Sequence, residues 1–216
     1  MPTSRSVAAV FLAGSACFFA LAQAKLPADL DAQSRARLPY LKSSEVDAKG
    51  KRVVDIFGKG GTVAGPLAFA TYNGAVGAAL LDLHDASVTG STLDARTMEL
   101  AIMVACRETN YNLEWNGHEA SALKAGVDAK ILDVVKKKGA LTGLDEKDAT
   151  VIRFGRQLYT DKKVDSATFA KAVQFWGKRG AMDMVAVMNT YAVSGFFAIA
   201  VDEQAAANKT PLPAVK

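Results

Sequence analysis

The sequence predicts an all-α, single-domain protein, and three observations carry that expectation. Ser, Thr or Asp residues stand ahead of apolar-periodic runs where helix N-caps belong. Beyond the first two dozen residues, no segment alternates apolar and polar side chains with the period of a half-buried strand. No repeat or interdomain linker interrupts residues 25–216, which are enough for one domain with a sizeable core.

The elements follow in order. Residues 1–24, MPTSRSVAAVFLAGSACFFALAQA, carry one charge (Arg5), an apolar run from Val7 to Leu21 and then Ala22-Gln23-Ala24. This is the layout of a secretory signal peptide, with cleavage expected after Ala24 and the protein exported to the periplasm or beyond. The apolar run is shorter than the ~20 residues that span a bilayer. Residues 25–43 form an irregular N-terminal segment marked by Pro27 and Pro39. Ser44 caps an expected helix over 45–57, ended by the glycine-rich GKGGTVAG. That loop has neither a preceding strand nor a GK[ST] ending, so it reads as a connector rather than a phosphate cradle.

Pro66 opens a short helical stretch and Ala75–Ala86 make a second helix. Ser91 or Thr92 caps a helix over 93–108, and after Thr109-Asn110 another runs over 112–125 to a C-terminal Gly126. Asp128 caps 129–138, Asp145 caps 146–160, and Asp165 or Ser166 caps 167–177. A long helix is expected over 181–206, followed by an extended or disordered NKTPLPAVK tail. Residues 182–201 are apolar enough to raise a membrane span, but Asp183, Asn189, Thr190 and Ser194 interrupt them and Gly195 adds a packing notch. A helix buried in a core or between subunits is the reading taken, with no stable membrane span after signal cleavage.

Charge and cysteine content exclude several classes. Removing Arg5 with the leader lowers the net charge from +4 to +3, too small and scattered a surplus for nucleic acid. Lys136-Lys137-Lys138 fall at a helix end, where cations complement the dipole. Once Cys17 leaves with the leader only Cys106 remains, so no intrachain disulfide can form and stability rests on packing and oligomerisation.

The chemistry concentrates in residues 99–128, ELAIMVACRETNYNLEWNGHEASALKAGVD. Glu114 and His118 stand four apart, one turn above each other on one helix face. Glu99, Met103 and Cys106 form a stripe on the preceding helix, and a carboxylate there needs a partner. If the two helices pack antiparallel, Glu99 orients the His118 imidazole and leaves its other nitrogen free to exchange a proton, with Glu114 a second acid or base. The alternative is a pair that simply satisfies itself. Arg96 is the candidate anchor for a small anionic organic substrate, or an ion-pair partner of Glu99. Tyr111 and Trp115 can line a pocket or pack. His84 reads as a capping or surface histidine, and Cys106 as a small buried hydrophobe. Glu114 and His118 make half a metal site, with Glu99 or His84 as further ligands, but no HExxH-type signature accompanies them. No metal and no cofactor are expected.

In LDARTMELAIMVA (93–105), EWNGHEASALKAGV (114–127) and the later VIRFGRQLYTDKKVDSATFAKAVQFWG, the chain resembles the carboxymuconolactone decarboxylase family, as it does in GPLAFATYNG upstream. The resemblance spans roughly residues 45–205. It implies an alkylhydroperoxidase D-like subunit with a helical-hairpin core that assembles into trimers or hexamers. It implies a lyase-type proton transfer, decarboxylating or isomerising a small lactone or unsaturated carboxylic acid. Glu99 and His118 fall on the glutamate and histidine positions of the alkylhydroperoxidase D-like branch, while Tyr111 and Glu114 stand where that branch has its C-x-x-C cysteines. Peroxiredoxin-type activity, a third reading, therefore lacks its thiols. A non-catalytic ligand-binding or structural oligomer of the same fold is the second.

Overall fold

The computed structural model describes residues 26–206 and 208–214, and the expected signal peptide lies outside them. The described residues form an all-α domain of seven helices without strands, the nearest approach to a sheet being one isolated bridge between Lys42 and Thr62. The helices are α1 (Lys51–Phe57), α2 (Gly74–Thr89), α3 (Ala95–Glu108), α4 (Asn112–Lys124), α5 (Ala129–Lys136), α6 (Glu146–Arg156) and α7 (Ser166–Ala200).

Capping chemistry explains most of their starts. Asp94, Asp128, Asp145 and Asp165 each accept a backbone N–H from the first turn of α3, α5, α6 and α7, and Asn73 does so for α2. The cap of α3 is thus Asp94 rather than Ser91 or Thr92; its carboxylate takes both the N–H and the hydroxyl of Thr97. Asp47, not Ser44, begins the first helical segment, through a short 3-10 turn that leads into α1. At the far end of α4, Gly126 adopts φ +94° and the Val127 N–H returns to the Ala122 carbonyl, closing the helix as its glycine implies.

α3 is the axis of the domain. Every residue from Leu100 to Arg107 is buried, and the helix is wrapped by α4, α5, α6 and α7. Its Leu100–Cys106 stretch is apolar on every side, and such a stretch must lie inside. Gly155 of α6 is required for that packing: an added Cβ would collide with Val104 of α3 and crowd Met188 Cε of α7 at 3.1 Å. The two helices expected over 167–177 and 181–206 are one element broken at Gly177, whose φ +72° and ψ 174° only glycine adopts readily. α7 is the one described helix long and apolar enough to cross a membrane, and half of its most apolar stretch is buried against the rest of the domain.

Two further expectations need correction. The long helix ends at Ala200, not 206: Asp202 turns left-handed and the Glu203 N–H bonds back to the Ala198 carbonyl. The C-terminal tail docks rather than drifts. Leu212 is buried, its N–H donates to Asn112 Oδ1 at 2.6 Å, and the Pro213 carbonyl accepts from the buried Arg107 guanidinium at 2.8 Å. An arginine removed from water needs acceptors, and the tail supplies one.

Candidate active site

A tight connection between α3 and α4 builds the site. Asn110 sits in the left-handed region (φ +53°), which asparagine tolerates, and the Tyr111 N–H bonds to the Cys106 carbonyl at 2.7 Å. The chain therefore turns within three residues and lays α4 back along α3. Glu99 and His118, nineteen positions apart, meet at 3.0 Å between Oε2 and Nδ1 in a hydrogen bond. On the other side of the ring, His118 Nε2 lies 3.2 Å from Glu114 Oε2, an ion-pair contact across one helical turn.

The imidazole is thus held between two carboxylates on both nitrogens. Burial works against its charge, but the two glutamates outweigh that penalty and push the His118 pKa up to about 9. At neutral pH the group is an imidazolium, and by formal count the cluster sets two acidic side chains against one basic one. The expectation of one nitrogen left free is corrected. Nδ1 is committed to Glu99, and Nε2 stands beside the second carboxylate.

One wall of a cavity of about 370 Å³ is made by this cluster. Glu114, Gly117 and His118 of α4 face Thr190, Tyr191 and Ser194 of α7 across it, while Ile56, Phe57, Leu67 and Leu80 supply an apolar side. Glu99 stands behind His118, outside the lining. Tyr191 places its ring edge-on to the imidazole at 5.0 Å, and its hydroxyl lies 3.4 Å from His84 Nε2. Burial and then the Glu114 charge hold that phenol well above its ordinary pKa, so it stays protonated. His84 belongs to the cavity rim and is not merely a helix-end residue; Asp85 beside it is paired with Arg52 of α1.

The remaining candidates lie elsewhere. Arg96 is consumed by a bidentate pair with the buried Asp148 of α6 (2.5 and 2.8 Å) and by the Gly126 carbonyl at 2.9 Å. It clamps α3 to α6 and the end of α4, and it does not line the cavity. Trp115 is a core residue with 1% exposure; its ring carries the Lys136 ammonium 5.6 Å from the centroid. Tyr111 faces a second cavity, shared with Glu203, whose carboxyl is raised to about 7 by burial and then by Glu114. Cys106 is free and fully buried, and burial, then Glu114, raises its thiol far above the reactive range. No group of three or more His, Cys, Asp or Glu among the described residues is arranged to hold a metal ion.

Thr190 and Ser194 were legible only as interruptions of an apolar run, and Tyr191 was not singled out at all. Thr190 and Ser194 at i and i+4 already place two hydroxyls on one helix face, which is the signal that could have found them. Comparison with protein-family models, curated proteins and solved structures finds no match for this chain.

Proposed function

We propose that the protein is a cofactor-free, carboxymuconolactone decarboxylase-like proton-transfer enzyme that isomerises a small unsaturated lactone or related carbonyl compound without decarboxylating it. The observation that carries this reading is the Glu99–His118–Glu114 cluster bordering an otherwise largely apolar cavity. Glu114 is the candidate base: it reaches the cavity, and the adjacent imidazolium compensates charge that develops nearby. Glu99 is a positioning residue that holds the ring through Nδ1.

With a β,γ-unsaturated lactone the step balances without a further reagent. Glu114 takes a proton from the carbon beside the carbonyl, and the C–H electron pair passes into a dienolate whose oxygen carries the charge. Glu114, whose proton exchanges with solvent before it is returned, then protonates the γ carbon and gives the α,β-unsaturated isomer, while return to the α carbon regenerates the substrate with exchange. The cluster's alternating charges, minus, plus and minus, let the carboxylate be neutralised and restored within the turnover.

The test is deuterium exchange by NMR in heavy water with the chain from Lys25 onward. The wild type should exchange the α proton of an unsaturated lactone, and Glu114→Gln should lose that activity by roughly a hundredfold or more. Equal rates in both proteins would remove Glu114 from the chemistry. One observation favours a second reading, a non-catalytic binding protein of the same fold: both imidazole nitrogens already face a carboxylate. That reading expects ligand binding without exchange.

Homo-oligomerisation, a trimer or hexamer by the resemblance, is supported by Met182, Phe196 and Ile199 of α7, each half-exposed or more. Light scattering on the purified chain tests it. Export rests on the leader sequence and is tested by N-terminal sequencing of protein recovered from the periplasm.

A further inference from the structure

We infer that the cavity takes an uncharged carbonyl compound in preference to a carboxylate, and that the Ser194 hydroxyl positions its carbonyl oxygen. This rests on the proton-transfer reading for its chemistry but on separate observations for its selectivity.

The first observation is the charge facing the space. By formal count Glu99, His118 and Glu114 set two acidic side chains against one basic one at its wall. Arg52, which reaches the lining Asp85, is shared between Asp82 and Asp85, and Arg96, on the helix that carries Glu99, is committed to Asp148. No lysine or arginine lines the cavity. A carboxylate entering here meets a net anionic wall after losing its own hydration, and both costs oppose binding.

The second is an inventory of donors. Thr190 gives its hydroxyl proton to the Ala186 carbonyl and stands 2.9 Å from Ser87 Oγ. The Tyr191 hydroxyl is engaged by His84. Ser194 lines the same cavity at 7% exposure, and its hydroxyl makes no hydrogen bond among the described residues. The hydroxyl is not sealed in the core but opens onto space of ligand size, where its proton is available to an acceptor. It stands one turn beyond Thr190 on α7, on the face turned to Glu114 and His118. A carbonyl oxygen held by Ser194 puts the neighbouring carbon in the same space as the Glu114 carboxylate, while Ile56, Phe57, Leu67 and Leu80 receive an alkyl substituent.

A matched pair of probes tests this at neutral pH: a pentyl-substituted β,γ-unsaturated γ-lactone, and the open-chain oxo acid it gives on hydrolysis. Dissociation constants come from ligand-observed NMR with the whole mature chain. The lactone should bind at least about tenfold more tightly than the acid. Ser194→Ala should weaken lactone binding about five- to tenfold and leave the acid nearly unchanged. The carbonyl stretch of the bound lactone should move to lower wavenumber in the wild type and return in Ser194→Ala, a signature that loss of packing does not produce. Acid binding as tight as lactone, or no lactone binding at millimolar concentration, overturns the inference. Lactone preference without deuterium exchange would instead sink the enzyme reading and keep the ligand class; exchange without that preference would do the reverse.

Discussion

Raising the pH through the range in which His118 releases its proton should destabilise the fold. The unfolded chain has an ordinary histidine with a pKa of 6.5, whereas the folded cluster holds it at about 9. Between those values the folded state keeps a proton that the unfolded state has lost, so the unfolding free energy falls as pH rises. The stabilisation is complete below 6.5 and gone above 9. Each pH unit in the window is worth about 1.4 kcal/mol, which puts the loss on the order of 3 kcal/mol. Urea denaturation at several pH values measures it, with His118→Gln as the control whose slope across the window should be flatter by that amount. The chain contains two histidines, so imidazole NMR shows two side-chain titrations and the same variant assigns them. A His118 pKa at or below its ordinary value, or a stability indifferent to pH across the window, would refute the carboxylate sandwich and the charge balance built on it.

Arg96→Ala should cost about 3 kcal/mol, because it leaves the buried Asp148 carboxylate unpaired, yet it should leave lactone affinity unchanged; thermal unfolding and the binding assay together check this. Truncation after residue 207 strips Leu212 from the core and an acceptor from Arg107, and chemical denaturation should show a loss of about 2–3 kcal/mol. Gly155→Ala overpacks the α3–α6–α7 crossing against Val104 and Met188, with a cost of about 1–3 kcal/mol read as a lower urea midpoint. Gly177→Ala forces a side chain onto φ +72° and ψ 174° and should cost about 1–3 kcal/mol although nothing contacts the added methyl, so its effect isolates backbone strain.

How far the sequence reached depended on the range of the interaction. Asp128, Asp145 and Asp165 cap their helices because a cap involves residues two or three apart, so these starts were readable directly. Gly126 ended α4 for the same local reason. Glu114 and His118 were placed on one face by the helical period alone, and the short turn at Thr109–Tyr111 sufficed to bring Glu99 to them. Neither reading of Arg96, substrate anchor or ion-pair partner of Glu99, reached its partner Asp148, which lies fifty-two residues on, a distance at which spacing carries no information. The docking of Leu212 on Asn112, one hundred residues away, was hidden in a tail whose composition resembles disorder.

From residue order alone came the all-helical class, the positions of most helices, and an imidazole sharing a face with a carboxylate. These follow from local hydrogen bonding and a fixed helical repeat, which any stretch of chain obeys by itself. Only packing decided that α7 would bring Thr190, Tyr191 and Ser194 opposite His118, that both sides of the ring would meet an anion, and that the nearby arginines would be spent elsewhere. Those outcomes depend on which helix faces meet once the apolar surface of α3 is enclosed, and that is a property of the whole assembled core.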